Sequence, residues 1–182
     1  TNGFTFSAQD AESYQQNDNY VAWCWKAGGT AVSNTNGTIT SSVSANTQAG
    51  FSVVSYTGNQ TNNATVGHGL SETPECIIFK DRDTAVNWIV YHKGVDSTNP
   101  EQFFLHLNST DTRQDLGDVF NDVAPGSSVF TLGNSTQSNG NTKKYIAYCW
   151  HSVEGYSKFG SYTGNGSADG PFVYLGFKPA FI

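Results

Sequence analysis

The feature that most constrains the fold of this chain is that it carries two copies of one series of short segments. Residues 145–150 (YIAYCW) are preceded by a near copy at residues 20–25 (YVAWCW). Residues 155–165 likewise repeat residues 50–59, with one residue more. Two further pairs keep the same order: residues 3–6 with 129–132, and residues 73–78 with 177–182. Four matches in one order indicate internal repeats.

The two copies differ in the connection between their segments, which is residues 26–49 in the first and 151–154 in the second. If a unit begins at the Gly-Phe/Tyr-Ser motif, one complete unit covers residues 50–154. Residues 1–49 are then the C-terminal part of a preceding unit, and residues 155–182 are the start of a following one. A different phase stays open, as does packing into one sandwich or two.

Within the repeats the side chains alternate as in β-strands. In residues 20–26, Val21, Trp23 and Trp25 share one face and both faces are apolar, which predicts a strand buried on both sides. Further strands are predicted at residues 3–6, 50–56, 66–70, 76–80, 87–92, 103–107, 128–132, 145–150, 156–162 and 171–177. These strands with regular turns favour an all-β, antiparallel β-sandwich or jelly roll built from internal repeats. A β-solenoid is the alternative, but unit 50–154 is too long for one.

Two local signals refine this pattern. Asn36-Gly37 lies between β-prone runs and predicts a hairpin within residues 30–43. A helical turn is expected within residues 111–121, where Leu116, Val119 and Phe120 have helical spacing.

Composition excludes several classes of protein. The formal net charge is −6, and no stripe of Lys and Arg could neutralise phosphates, which argues against nucleic-acid binding. No apolar run approaches the length of a membrane span, so we expect no membrane insertion. The chain has no Met, which suggests a processed product or a segment of something longer.

Cysteine and histidine give no catalytic or metal-binding pattern. Cys24 and Cys149 occupy equivalent positions, so both are predicted to be buried free thiols rather than a disulfide. His92, His106 and His151 are scattered without metal-ligand spacing. His68 lies between two glycines and is expected to bond nearby backbone.

The carboxylates offer the remaining chemistry. Asp81-Arg82-Asp83-Thr84 resembles half of a calcium loop but lacks the glycine and the closing glutamate, so a solvated acidic turn is favoured over calcium. The sequence has no Gly-x-Ser-x-Gly motif, and a non-enzymatic protein is predicted. A glycan-cleaving enzyme would need an acidic pair, for which the candidates are Asp81, Asp83, Glu101 and Asp115.

Ligand recognition is expected in loops, since polar loops on a rigid scaffold carry function. The candidate ligand-binding residues are Asp81, Asp83, Asn108, Asp111, Asn165 and Asp169. The aromatic side chains are expected to pack in the core rather than stack on sugars. They are Trp23, Trp25, Trp88, Trp150, Tyr56, Tyr91 and Tyr162.

Several motifs resemble a known family. Residues 67–70 (GHGL) with Pro74, residues 77–80 (IIFK), residues 88–92 (WIVYH) and the run from 145 to 182 are similar to the repeated β-rich domain of bacteriophage tail-fibre and related virion structural proteins, especially of marine phages. The resemblance extends from residue 20 to 182. It implies a concanavalin-like sandwich and supplies no catalytic residues.

The resemblance implies a structural protein in an external appendage of a virion. We expect it to self-associate as a homotrimer, to contact neighbouring virion proteins and to present loops to a glycan or receptor on the host surface. Two alternatives stay open. One is a polysaccharide depolymerase on a β-sandwich, and the other is a carbohydrate-binding or adhesion module of a bacterial surface protein.

Overall fold

The computed structural model describes residues 3–5 and 17–182, and its strands form two antiparallel sheets. The larger sheet has the spatial order β1 (Val32–Asn34), β2 (Ser41–Asn46), β3 (Phe51–Thr57), β10 (Lys144–Trp150), β5 (Cys76–Asp81), β6 (Ile89–His92), β7 (Phe103–His106) and β8 (Gln114–Asp115). The smaller sheet pairs β4 (Ala64–Gly67) with β9 (Val129–Leu132). A 3-10 turn, Pro100–Gln102, precedes β7, and a short helix α1, Thr136–Asn139, precedes β10. The predicted all-β, antiparallel sandwich is confirmed.

Strands β3 and β10, which both belong to repeated segments of the sequence, lie at the centre of the large sheet. β10 lies between β3 and β5 and pairs with both along most of its length. On its inner face Tyr145 stands opposite Tyr56 and Ala147 opposite Val54, and all four are buried. Alternation places the neighbouring side chains of these strands on the outer face. Strands β1 and β2, which lie within residues 1–49, extend the same sheet, because β1 pairs with β2 and β2 pairs with β3.

The small sheet covers the inner face of the large one. The ring centroid of Phe130 in β9 lies 6.0 Å from that of Tyr56 and 5.3 Å from that of Phe79. Val66 of β4 is fully buried and forms an isolated parallel bridge with Ile39, which ties the β1–β2 connection to the small sheet. Burial of these apolar side chains is the main stabilising contribution to the sandwich.

The predicted hairpin at Asn36-Gly37 is confirmed, since β1 and β2 pair from Asn34 opposite Ser41. The expected helical turn within residues 111–121 is found as hydrogen-bonded turns rather than a helix. In them the Val119 amide donates to the Leu116 carbonyl over 3.1 Å. Val119 and Phe120 are buried, but Leu116 is exposed.

Three predicted strands are absent from the described residues. Residues 20–26, 156–162 and 171–177 form no strand, although β10 and β3, the repeat counterparts of residues 20–26 and 156–162, do. A strand needs neighbouring strands to pair its backbone groups, and β10 lies between two of them, whereas residues 20–26 belong to neither described sheet. The strand predicted at residues 3–6 is also absent at residues 3–5, and residue 6 lies outside the described residues.

The predicted burial therefore fails in these segments. Trp23, Trp25 and Tyr162 were expected in the core, but they are 65%, 46% and 72% exposed. Tyr56 and Tyr91 are buried as predicted, while the remaining two tryptophans are half-buried. Cys149 is a buried free thiol as predicted, but Cys24 is exposed, because its segment lacks the pairing that covers Cys149.

No helix in the described part of the chain is long and apolar enough to cross a membrane.

Candidate ligand-binding groove

A groove of about 380 Å³ crosses the outer face of the large sheet over β1, β2, β3 and β10. The strand register places three serines side by side in it. Ser33 of β1 is directly opposite Ser42 of β2, which is in turn opposite Ser55 of β3. Because neighbouring strands are about 4.8 Å apart, the three serines form a row about 10 Å long.

Two further exposed hydroxyls line the groove, those of Thr40 and Thr57, and the buried residues Ser41 and Tyr56 also border it. Among the residues that the structure describes, none of the five hydroxyls forms a hydrogen bond. Ser41 shows the contrast, because it points to the inner side and its hydroxyl donates to the carbonyl of Gly67 over 2.9 Å. Each free hydroxyl can both donate and accept a hydrogen bond.

Two cations lie beside Thr57, at one side of the groove. Lys144 is directly opposite Thr57 in the sheet, and the Arg82 amide donates to the Lys144 carbonyl over 2.8 Å. Both side chains belong to exposed residues, and neither makes an ion pair or side-chain hydrogen bond within the described chain. We call the five hydroxyls and these two cations the hydroxyl–cation groove.

Two predicted ligand-binding residues, Asp81 and Asp83, support this groove from its edge. Asp81 is buried, and its Oδ1 accepts from the amides of Asp83 and Thr84 over 2.7 and 3.1 Å. The Oδ2 of Asp83 accepts from the Lys144 amide over 2.8 Å. The acidic turn is therefore present, but its first carboxylate is buried rather than solvated. These two aspartates fix the backbone that carries Arg82 and Lys144.

Asn108 and Asp111 make local contacts elsewhere. The Oδ1 of Asn108 accepts from the Trp88 amide over 2.9 Å, and its Nδ2 donates to the side chain of Asn87. Asp111 accepts from the Ser109 hydroxyl over 2.7 Å and lies 3.3 Å from His106 Nδ1. The hydrogen bond from Ser109, followed by that from His106, lowers the pKa of Asp111.

Asn165 and Asp169 belong to a single exposed turn. Asn165 donates to the carbonyl of Asp169 over 3.1 Å, and its Oδ1 accepts from the Ser167 amide over 3.0 Å. No hydrogen bond or ion pair in the described ranges joins this turn to Asp81, Asp83, Asn108 or Asp111. The six predicted residues thus lie in three separate places, and only Asp81 and Asp83 adjoin the groove.

The described histidines and carboxylates do not converge on a metal site. Within residues 3–5 and 17–182, no three His, Cys, Asp or Glu side chains converge in a way that could hold a metal ion. His68 bonds nearby backbone as predicted. Its Nδ1 accepts from the Leu70 amide over 3.1 Å, and its Nε2 donates to the Gly126 carbonyl over 3.2 Å. Burial lowers its pKa, and nearby His151 lowers it further.

The opposite end of the outer face is aromatic. Phe51 stacks on Trp150 at 5.0 Å between ring centroids, and Trp25 packs edge-on against Trp150 at 5.8 Å. Phe181 then contacts Trp25 at 6.1 Å and Trp23 at 5.5 Å. These five residues form what we call the aromatic cluster, which joins the start and the end of the described chain to the large sheet.

Sequence reasoning missed Arg82, Lys144 and the serine row. The available signal was the alternation in β2 and β3, where Ser42 and Ser55 each adjoin a residue of the buried face. That alternation predicts that they share the outer face. Their alignment side by side depends on the register between strands, which the alternation leaves undetermined.

Comparison with known families gives one match. A family model described as a domain of unknown function (DUF7483) matches residues 1–182, which is the whole chain. No curated protein and no solved structure matches the chain.

Proposed function

We propose that the chain, which belongs to the family described as a domain of unknown function (DUF7483), is a non-enzymatic structural protein of a bacteriophage virion. In this proposal it forms part of a tail fibre or another external appendage, self-associates, contacts neighbouring virion proteins and attaches to a glycan or receptor on the host surface. The resemblance of its repeated motifs to tail-fibre domains supports the proposal.

The observation that carries it is the exposure of a second set of strand sequences. Tyr145 and Cys149 of β10 are fully buried, whereas their counterparts Tyr20 and Cys24 are exposed. Tyr162, the counterpart of buried Tyr56, is 72% exposed. One copy of these apolar segments is buried and the other is exposed. We expect a second molecule of the same chain to cover the exposed copy.

One contact between segments of the buried copy has a counterpart in the exposed copy. Trp150 stands opposite Cys76 where β10 pairs with β5. When Pro179 is aligned with Pro74, Phe181 corresponds to Cys76, and Trp25 corresponds to Trp150. Trp25 and Phe181 are in ring contact, so the two repeated segments that contain them meet in the structure, although neither forms a strand.

The test of self-association is the mass of the purified chain in solution, measured by light scattering over a range of concentrations. We expect a homotrimer. Trp23→Ser should weaken the assembly, because Trp23 is 65% exposed and touches only Phe181 among the described aromatic rings. Leu107→Ser is the matched control, since Leu107 is 59% exposed but lies outside the repeated segments. A monomer at all concentrations would overturn the structural role.

The two alternatives predict other outcomes. A depolymerase would release new reducing ends from a polysaccharide, and Asp81→Asn or Asp83→Asn would abolish that release. Both carboxylates accept backbone hydrogen bonds in the structure, which supports the non-enzymatic proposal. A bacterial adhesion module would bind glycan as a monomer without cleaving it.

A further inference from the structure

We propose that the hydroxyl–cation groove binds an acidic polysaccharide, a polymer whose hydroxyl groups are accompanied by carboxylate or sulfate groups. This inference rests on the proposed function, because it names the class of host-surface glycan and the place where it binds. None of the six residues predicted from sequence forms the lining of this groove.

The row of hydroxyls indicates that the ligand carries hydroxyl groups of its own. Ser33, Ser42 and Ser55 face outward in adjacent strands, and none of their hydroxyls has a hydrogen-bond partner in the described structure. A row about 10 Å long that can donate and accept at each step matches a chain of sugar hydroxyls. An apolar ligand would leave these hydroxyls unsatisfied, which disfavours its binding.

The cations determine the charge of the ligand. Arg82 and Lys144 have no carboxylate partner in the described chain, whereas Lys93 pairs with Glu75 and Arg113 with Asp96. The whole chain carries a formal charge of −6, so most of its surface repels an anion. A polyanion is therefore expected to bind where two cations without an ion-pair partner line the same groove.

The carboxylates near these cations do not close the groove. Asp83 is bound to the Lys144 amide and Asp81 to the turn that follows β5. Both reduce the local positive charge, but neither pairs with the side chain of Arg82 or Lys144. The floor of the groove consists of paired strands, so a ligand would not have to order it on binding.

A second cavity, of about 520 Å³, does not offer the same chemistry. Its cation, Lys93, is already paired with Glu75, which also accepts from the Ser152 amide over 2.8 Å. Glu72 adds a further negative charge to the lining. An anion would meet repulsion there, so the hydroxyl–cation groove is the better site.

The test is affinity electrophoresis and calorimetry with three defined polymers: polygalacturonate, dextran sulfate and neutral dextran. We expect one or both acidic polymers to bind and neutral dextran not to bind, and the two acidic polymers distinguish carboxylate from sulfate recognition. Replacing both groove cations, Arg82→Gln with Lys144→Gln, should weaken binding about three- to tenfold, since exposed charges contribute modestly. Added salt should weaken wild-type binding in parallel.

The matched control is Lys26→Gln with Lys178→Gln. It removes the same charge from two exposed lysines outside the groove. Unchanged thermal unfolding must accompany both double variants. If both weaken binding equally, the attraction is non-specific and the groove is not the site. Equal binding of neutral dextran would overturn the acidic class.

The outcomes also separate this inference from the proposed function. If the chain assembles as a trimer but binds none of the polymers, the groove proposal fails and the structural role stands. If an acidic polymer binds equally well to wild type and groove variant, a glycan is bound elsewhere. If the chain is monomeric yet the groove variant loses binding, the site is correct and the virion role is wrong.

Discussion

At the scale of single residues, the buried hydroxyl of Tyr145 is the clearest case of a polar group that the fold requires. It donates to the Thr136 carbonyl over 2.6 Å and accepts from the Gly140 amide over 2.8 Å. Tyr145→Phe would remove both bonds and leave the amide of buried Gly140 without this partner. We expect the free energy of unfolding to fall by about 1–3 kcal/mol, measured by urea denaturation.

Tyr148 provides the control for that change. It lies in the same strand on the outer face, is half-buried, and its hydroxyl has no partner in the described part of the chain. Tyr148→Phe should change the free energy of unfolding by no more than about 0.5 kcal/mol. Equal losses in the two variants would show that the hydrogen bonds of Tyr145 are not the cause.

His68 predicts how stability depends on pH. Burial lowers its pKa below the ordinary value of 6.5, so the unfolded chain binds a proton more readily than the folded chain. Its contribution is therefore full above pH 6.5 and is lost as the pH falls below that value. The urea concentration at the midpoint of unfolding should decrease as the pH is lowered from about 7 to about 5, and His68→Gln should make this decrease smaller.

Two other groups separate this effect from general acid unfolding. Half-buried His92 also has a pKa lowered by burial, so His92→Gln should flatten the slope less than His68→Gln. In Glu75 burial raises the pKa, but the bonds from Lys93 and Ser152 outweigh it and leave the pKa below 4.5. Its contribution is therefore lost only below pH 4.5. A slope unchanged in His68→Gln would contradict the assignment to His68.

At the scale of elements, the end of β9 is tightly packed against the turn over residues 117–122. A Cβ added at Gly133 would lie 1.9 Å from the Asp118 carbonyl oxygen, whereas one at Gly126 would lie 3.5 Å from its nearest neighbour, the Val129 carbonyl oxygen. Gly133→Ala should therefore cost about 1–3 kcal/mol or more in unfolding free energy, and Gly126→Ala about 0.5 kcal/mol or less. Thermal unfolding of both variants checks this, and a similar loss in each would contradict it.

The same scale shows how far the sequence predicts the structure. Alternation and turn signals predicted β3, β5 and β10, whose inner faces carry large apolar side chains such as Tyr56, Phe79 and Tyr145. The same alternation predicted a strand at residues 20–26, where it failed because alternation specifies a face and does not supply a partner strand. The groove was missed for the same reason, since Ser33, Ser42 and Ser55 become one row only through the register of three strands.

At the scale of the whole molecule, the outer face of the large sheet has two unlike ends. Strand β10 runs from Lys144 at the hydroxyl–cation groove to Trp150 in the aromatic cluster, a distance of about 20 Å. The proposed ligand binding at the first end and the proposed self-association at the second therefore need not compete. An assembly built in this way would present several grooves at once, and weak binding at each would add through avidity.

The three cysteines report on the assembly directly. Cys76 and Cys149 are buried, which raises the pKa of Cys76 to about 12 and that of Cys149 further, while Cys24 is exposed. Iodoacetamide should therefore label only Cys24 in the dilute native protein, as measured by mass spectrometry, and all three thiols in urea. If a second copy covers residues 20–25 as β3 and β5 cover β10, Cys24 should become protected at concentrations where light scattering shows a trimer. A trimer in which Cys24 still reacts at its dilute rate would mean that the copies meet through a different surface.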